Sequence, residues 1–198
     1  MMSVRNMAEA TDAKVLDAAR DCVLHVGVRR TTLTDVARRA GVSRMTVYRR
    51  WPDVRVLVGD VMTREWTALA TGILHGQDQK AGARDRVVEG SVAVSKQLRA
   101  HPLFRKVVDV DPELLLPYVL DRRGASQDVM LEVLEGVVRE GQRDDTIRAG
   151  NVKALAASVL LTVQSFTLSA HTMADRRGCS QSALDRELRH LLEGYLTP

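Results

Sequence analysis

Two short helix signals separated by a glycine turn, over residues 32–51, constrain the fold of this chain more than any other feature. Thr32 is suited to cap the first helix and Ser43 to cap the second. Gly41 is placed to end the first helix, and apolar residues flank the second cap in the pattern of a hydrophobic staple. Two capped helices joined by a short glycine turn are typical of a helix-turn-helix motif.

The rest of the chain also has helical periodicity, and no alternating apolar and polar run is long enough to indicate a strand. We therefore predict an all-α fold with two domains, at residues 1–52 and 53–198. Short helices should open at Pro102 and at Asp111-Pro112, and Pro117 should kink or end the latter. Longer helices are expected at about 12–26, 53–75, 84–100, 126–141, 151–171 and 180–196.

The composition excludes several classes of protein. The chain is 45% hydrophobic and 27% charged, as in ordinary globular proteins. Two cysteines are too few for a disulfide scaffold or a thiolate zinc site, so we expect a cytoplasmic protein without metal or cofactor. Charges among the first thirty residues argue against a secretory leader. The longest uncharged run, residues 154–170, is shorter than the roughly 20 residues of a membrane span, so no membrane is expected.

Positive charge is concentrated near the N-terminus. The net charge is +4, yet residues 61–198 contain equal numbers of acidic and basic side chains. Between residues 29 and 55, eight arginines face only Asp35 and Asp53. Such a local surplus is either a solvated basic face or the electrostatic footprint of a nucleic-acid-binding module, and the helix-turn-helix signature favours the second.

The second helix of the motif is predicted to present an apolar side, with Val47, to the core of the module. Its N-terminal turn would enter the major groove of DNA, where arginine donates two hydrogen bonds to guanine. Arg44 and Arg49 are therefore predicted to contact bases, while Thr46 and Tyr48 fix the register on the phosphates. Tyr48 could instead pack partly in the core, and Thr31 and Thr32 could serve only as caps. The predicted DNA-binding residues are Thr31, Thr32, Arg44, Met45, Thr46, Tyr48, Arg49 and Arg55.

The stretch TTLTDVARRAGVSRMTVYRRW, followed by a long helix, resembles the DNA-binding domain of TetR-family transcriptional regulators. The resemblance covers residues 12–60. The family usually has glycine where this chain has Met45, His-Phe where it has Arg50-Trp51, and often lysine where it has Val54. Met45 would alter base preference, and Arg55 is the substitute for the missing phosphate contact.

The resemblance implies a homodimer that places two recognition helices on a palindromic double-stranded DNA operator, about 34–36 Å or a multiple of one turn apart. The last two helices are apolar in a pattern suited to pairing with their copies in a second subunit. The alternative is that both helices only complete the core of one subunit. The candidate interface residues are Leu155, Val159, Leu184, Leu188, Leu191 and Tyr195.

The resemblance also implies a cavity for a small-molecule effector, of unknown identity, in the C-terminal region. Such cavities are mainly apolar with few polar groups, and each residue proposed for one could equally be plain core. The candidate lining residues are Met62, Trp66, His101, Phe104, Met130, Gln164, Phe166 and His171.

Motifs of enzymes are missing from the sequence: it contains no G-x-S-x-G, G-x-G-x-x-G, P-loop or H-E-x-x-H pattern. We therefore predict a ligand-responsive, dimeric DNA-binding regulator, usually a repressor in this family, and not an enzyme. The alternatives are an all-α protein-interaction module that no longer binds DNA, and a small helical enzyme whose residues converge only in the fold.

Overall fold

The computed structural model describes residues 4–78, 81–175 and 178–198, and all regular structure in these residues is helical, which confirms the all-α prediction. A 3₁₀ turn, Pro112–Leu114, precedes α7. The helices are α1 (Val4–Val26), α2 (Leu33–Ala40), α3 (Arg44–Arg50), α4 (Val54–His75), α5 (Ala83–Ala100), α6 (Pro102–Val110), α7 (Leu116–Leu120), α8 (Ala125–Arg143), α9 (Val152–Met173) and α10 (Gln181–Leu196).

The chain forms two compact units. Unit 1 comprises residues up to Glu65 together with His101–Arg123, and unit 2 comprises Trp66–Ala100 and Gly124–Pro198. The helix α4 contributes its first part to unit 1 and its last part to unit 2. The predicted boundary after residue 52 separates the DNA-binding segment from the rest of the chain by function, whereas the two units are defined by compactness. The predicted boundary therefore stays a prediction.

Unit 1 encloses a small core of valines from α1 to α4 and α6. Val15, Val36, Val47, Val61 and Val107 have no solvent exposure. Gly27 ends α1 as predicted, in a left-handed conformation (φ +82°), and its N–H donates to the carbonyl of Val23 at 2.9 Å.

The segment after α6 differs from its prediction. Pro112 opens only the 3₁₀ turn, which ends at Leu114. Pro117 lies in the first turn of α7 and therefore begins a helix rather than kinking or ending one. The reason is that the first-turn N–H groups of a helix have no intrahelical acceptor, so proline is tolerated there.

Unit 2 is built around α5, α8, α9 and α10. Val88, Val138, Val159, Leu188 and Leu192 form part of one continuous hydrophobic core. Side-chain caps start two of its helices: Asn151 Oδ1 accepts from Ala154 N at 3.0 Å, and Ser180 Oγ accepts from Ala183 N at 3.1 Å.

The helix α9 is longer than its uncharged run suggested. At 22 residues and a mean hydropathy of 1.4 over its best window, it is long and apolar enough to cross a membrane by length and composition alone. Core helices of globular proteins meet the same criteria. Leu155, Val159 and Val163 of α9 pack into the core of unit 2.

Candidate nucleic-acid interface

The helices α2 and α3 form the predicted helix-turn-helix. Thr32 Oγ1 accepts from Asp35 N at 3.1 Å, and Ser43 Oγ accepts from Thr46 N at 3.1 Å, so both predicted caps are confirmed. Between them Gly41 takes a left-handed conformation (φ +67°), which glycine adopts without a steric cost. Thr32 and Gly41 thus mark the two ends of α2, and Ser43 marks the start of α3.

One side of α3 packs inward and the other faces solvent. Val47 is buried, and Trp51, directly after α3, is buried with its indole N–H donating to Asp60 Oδ2 at 2.8 Å. Met45 is 76% exposed and Tyr48 is 48% exposed. The exposed side of α3 thus contains four of the residues that the sequence predicted to face DNA, namely Arg44, Met45, Tyr48 and Arg49.

Most arginines of the basic segment are bound to acceptors within the protein. Arg38 pairs with Asp35 at 2.7 Å and Arg39 with Asp21 at 3.1 Å. Arg30 Nε donates to the carbonyl of Val26 at 3.0 Å. The two ion pairs neutralise part of the positive charge of this segment.

Arg50 is similarly engaged, by Asp12 at 3.4 Å and by the ring of Trp51, whose centroid lies 5.6 Å from the guanidinium carbon. By contrast, Arg44 and Arg49 are exposed and make no ion pair or hydrogen bond with any residue that the structure describes. The two guanidinium groups predicted to contact bases are therefore those left available on α3.

Thr31 requires a correction. It is 5% exposed, and its hydroxyl donates to the carbonyl of Gly27 at 2.8 Å, so it serves the turn before α2 and is not accessible to DNA. Thr32 is exposed but also caps α2. Thr46 is half-buried, with its hydroxyl 2.8 Å from Ser43 Oγ, whereas Arg55 is exposed in the first turn of α4.

The candidate effector residues do not gather in one place. Met62 and Phe104 are buried in unit 1, which also contains His101. Burial lowers the pKa of His101, and Arg20 lowers it further, against the opposing effect of Glu65 at 3.6 Å. The cavity of unit 2 described below is lined by Met130 but not by the other four candidates of that unit. Of these four, Trp66 and Gln164 are half-buried, Phe166 packs on the core, and His171 is exposed. Gln164 accepts a hydrogen bond from Gln127 at 2.7 Å.

A cavity of about 80 Å³ lies within unit 2, between the end of α4 and helices α5, α8 and α9. Met130 is the one predicted lining residue that contributes to it. Few polar groups line the cavity. One of them is the side chain of Gln77, which donates to the carbonyl of Arg86 at 2.6 Å. The aliphatic lining residues include Ala70, Ile73, Leu74, Val87, Val94, Val129, Val133, Leu134, Val137, Leu160 and Val163.

Sequence reasoning predicted a cavity in the C-terminal region but missed its lining, apart from Met130. A signal was present in α8, where Val129, Val133 and Val137 recur every four residues beside the stripe that enters the core. Because both stripes are aliphatic, their periodicity alone cannot separate a cavity wall from core.

The candidate dimer residues divide into two groups. Leu155, Val159 and Leu188 lie in the hydrophobic core of the subunit itself, so they cannot contact a partner, and that part of the prediction is corrected. Leu191 is 53% exposed. Leu184 and Tyr195 are half-buried, and the Tyr195 ring stacks beneath the guanidinium of Arg148.

In the described residues no three His, Cys, Asp or Glu side chains come together as a metal site.

Comparison with known proteins agrees with this geometry. The model of the tetR family of bacterial regulatory proteins matches residues 15–60, which include α2 and α3. An HTH-type transcriptional regulator of Mycobacterium bovis is 39% identical over 197 residues, covering 99% of this chain and 100% of the relative.

Solved structures of similar architecture extend the match beyond the N-terminal helices. A TetR-family regulator from Pectobacterium atrosepticum has a TM-score of 0.75 at 19% identity and covers 99% of both chains. The regulator FadR from Bacillus subtilis, in complex with stearoyl-CoA, has a TM-score of 0.63 at 15% identity, covering 93% of this chain and 98% of its own. From the full-length relative and the matched helix-turn-helix, the chain belongs to the tetR family of bacterial regulatory proteins, which are DNA-binding transcriptional regulators and not enzymes.

Proposed function

We propose that this protein is a ligand-responsive cytoplasmic repressor that binds a palindromic operator as a homodimer through residues 43–51. The observation that supports this most is the state of Arg44 and Arg49. Both are exposed on a capped helix and have no partner among the residues that the structure describes, while neighbouring arginines are paired. An unpaired guanidinium is free to bind a base edge or a phosphate without first breaking an ion pair.

In the proposed complex, α3 enters the major groove. Arg44 and Arg49 donate to base edges, and Tyr48 and Thr46 contact the backbone. Arg55, in the first turn of α4, binds a flanking phosphate.

Selection of bound fragments from the host genome tests this proposal. We expect enrichment of fragments with an inverted repeat, and an affinity that falls steeply between about 50 and 200 mM salt. If no fragment is enriched even at low salt, the proposal fails and the protein-interaction module becomes the better reading.

The dimer is proposed to form through the exposed sides of α9 and α10. On α9, the exposed Leu161 is followed at intervals of four by Ser165 and Ser169, and on α10 Leu191 is exposed near Gly194. Large apolar residues beside small ones suit close helix packing. A second subunit would also cover Leu161, which is 67% exposed on the long apolar helix α9.

Sedimentation of the Leu161→Asp plus Leu191→Asp variant tests the dimer. We expect the wild type to sediment as a dimer and the variant as a monomer, because a partner would bury each new carboxylate. Leu116→Asp, at an exposed leucine of α7, is the matched control and should remain dimeric. A monomeric wild type would contradict the proposal.

The effector is proposed to bind in the cavity of unit 2. The lining is aliphatic. The cavity is also smaller than typical ligand sites, which have volumes of about 300–1,000 Å³. It therefore suits a short apolar group or the end of a longer chain. The complex of FadR with stearoyl-CoA shows that a protein of this architecture takes an acyl ligand.

Straight-chain alcohols from hexanol to decanol are suitable probes of the cavity. We expect them to raise the melting temperature of the wild type and to leave that of Val133→Trp unchanged, because the indole fills the cavity. Val119→Trp, at an exposed site on α7, should respond like the wild type. An equal response in all three proteins would exclude the cavity as the binding site.

A further inference from the structure

The end of α6 is joined to the turn that precedes the helix-turn-helix. The carboxylate of Asp111 is buried, at 1% exposure, and its Oδ2 accepts from Val28 N at 2.8 Å across 83 residues of sequence. Its Oδ1 lies 3.3 Å from Arg29 Nε. Arg29 also donates to Glu113 Oε1 from Nε (3.1 Å) and Nη2 (2.9 Å), so one guanidinium joins two carboxylates.

The backbone at this junction is shaped for close approach. A Cβ at Gly27 would lie 3.2 Å from Val110 Cγ1 and 3.3 Å from Asp111 Oδ2, in addition to the strain of its positive φ. The absence of a side chain at residue 27 therefore serves two purposes. It allows the left-handed end of α1, and it lets the end of α6 reach the amide of Val28.

The anchored residues lead directly into α2. Thr31 N donates to the carbonyl of Val28 at 3.1 Å, and the Thr31 hydroxyl donates to the carbonyl of Gly27 at 2.8 Å. The cap of α2 is the next residue, Thr32, and α2 is joined to α3 by a turn whose Val42 N donates to the carbonyl of Ala37 at 3.1 Å. A displacement of residues 27–28 would thus be passed through short hydrogen-bonded steps to the recognition helix.

We propose that Asp111 is a positioning residue for DNA binding, which from the end of α6 holds the turn at residues 27–29 and so sets the orientation of α2 and α3. This inference rests on the proposed function, in which α3 enters the major groove. It adds a role for a residue that touches no DNA. It also makes the end of α6 a point from which the orientation of α3 can be altered.

The chemistry of the contact dictates the variants. Asn at residue 111 keeps an oxygen that can accept from Val28 N, whereas Ala removes it and leaves a buried N–H without an acceptor. Asp109, exposed in the last turn of α6, provides the matched control Asp109→Ala. Should Asp111→Ala fail to fold, Asp111→Ser replaces it, since its shorter side chain also withdraws the acceptor from Val28.

Operator affinity is measured by fluorescence anisotropy under conditions in which each variant is folded. We expect Asp111→Ala, or Asp111→Ser, to weaken operator binding about tenfold, Asp111→Asn to restore most of the affinity, and Asp109→Ala to match the wild type. The slope of affinity against salt should be unchanged in all of them, because the phosphate contacts remain the same. Wild-type affinity in Asp111→Ala, or an equal loss in the Asn variant, would overturn the proposal.

Hydrogen exchange separates this inference from the proposed function, because it needs no DNA. In Asp111→Ala we expect faster exchange confined to the amides of residues 27–33 and of α3, with the amides of unit 2 unchanged. Faster exchange throughout the chain would mean that Asp111 only stabilises the fold, and unchanged exchange at residues 27–33 would mean that it does not hold the turn. If the wild type itself binds no operator, the proposed function fails while the exchange pattern still decides whether Asp111 positions α3.

Discussion

The arginines around the recognition helix in unit 1 and the interior arginine Arg99 in unit 2 are used in opposite ways. In unit 1, the arginines of α2 and α3 that form ion pairs do so at the surface, such as Arg38 with Asp35. In unit 2, Arg99 is largely buried, where it donates to Asp185 Oδ1 at 2.5 Å and to Ser95 Oγ at 2.6 Å. The difference teaches that the arginines of α2 and α3 stay at a surface that a macromolecule can reach, whereas Arg99 of unit 2 organises an interior.

The largest expected effect is a loss of unfolding free energy when the buried ion pair of unit 2 is broken, compared with the loss for a surface pair of unit 1. Asp185→Ala leaves the Arg99 guanidinium without its carboxylate in a poorly solvated site, and we expect the free energy of unfolding to fall by about 3–5 kcal/mol. Arg38→Ala removes only an exposed pair and should change it by about 0–1 kcal/mol. Urea titration measures both, and similar losses would contradict the contrast between the units.

Base recognition gives the next effect. Arg49→Ala should weaken binding to the selected operator by about 1–3 kcal/mol and relax specificity at one base position, while the unfolding free energy stays the same. Arg143→Ala, an exposed arginine at the end of α8, controls for the loss of one charge. If both variants bind the operator equally well, Arg49 does not read a base.

A smaller effect concerns the cap that fixes the start of α3. Ser43→Ala removes the acceptor for Thr46 N and should cost about 1 kcal/mol of unfolding free energy, whereas Ser43→Thr keeps an acceptor and should lose less. Thermal unfolding monitored by circular dichroism makes the comparison. An unchanged melting temperature in Ser43→Ala would show that the hydroxyl does not support α3.

The smallest effect is a pH dependence in unit 1. Because the pKa of His101 is lowered in the folded protein, chiefly by burial, the unfolded chain binds its proton first as the pH falls below about 6.5. The stability that neutral His101 provides is therefore complete above that pH and declines below it, through the lowered pKa. Unfolding free energies between pH 7.5 and 5.5 should fall more in the wild type than in His101→Gln, and parallel curves would contradict this assignment.

Local chemistry made the helix-turn-helix predictable. Thr32, Gly41 and Ser43 act within four residues of their own positions, so their caps and turn could be inferred without knowledge of the fold. The tetR-family resemblance came from the same stretch. Contacts such as Arg50 with Asp12, or Asp111 with Val28, join distant parts of the chain and leave no local pattern.

Apolar helices were harder to orient. The spacing of Leu184, Leu188 and Leu191 predicted a packing seam on α10, but α10 turns Leu188 with Leu192 and Leu196 into the core and leaves Leu191 exposed. Periodicity identifies an apolar side without saying whether the same subunit or a second one covers it. The placement of the effector candidates failed for the same reason, since Met62 and Phe104 are core of unit 1.

Discrimination between the selected operator and a scrambled sequence tests the central claim most directly. Affinities for both DNAs should be measured at one salt concentration, for the wild type and for the Arg44→Ala plus Arg49→Ala variant. The account predicts that the wild type prefers the operator strongly and that the variant, still folded and still binding DNA weakly, loses most of that preference. A variant that discriminates as well as the wild type would show that α3 does not read the DNA sequence.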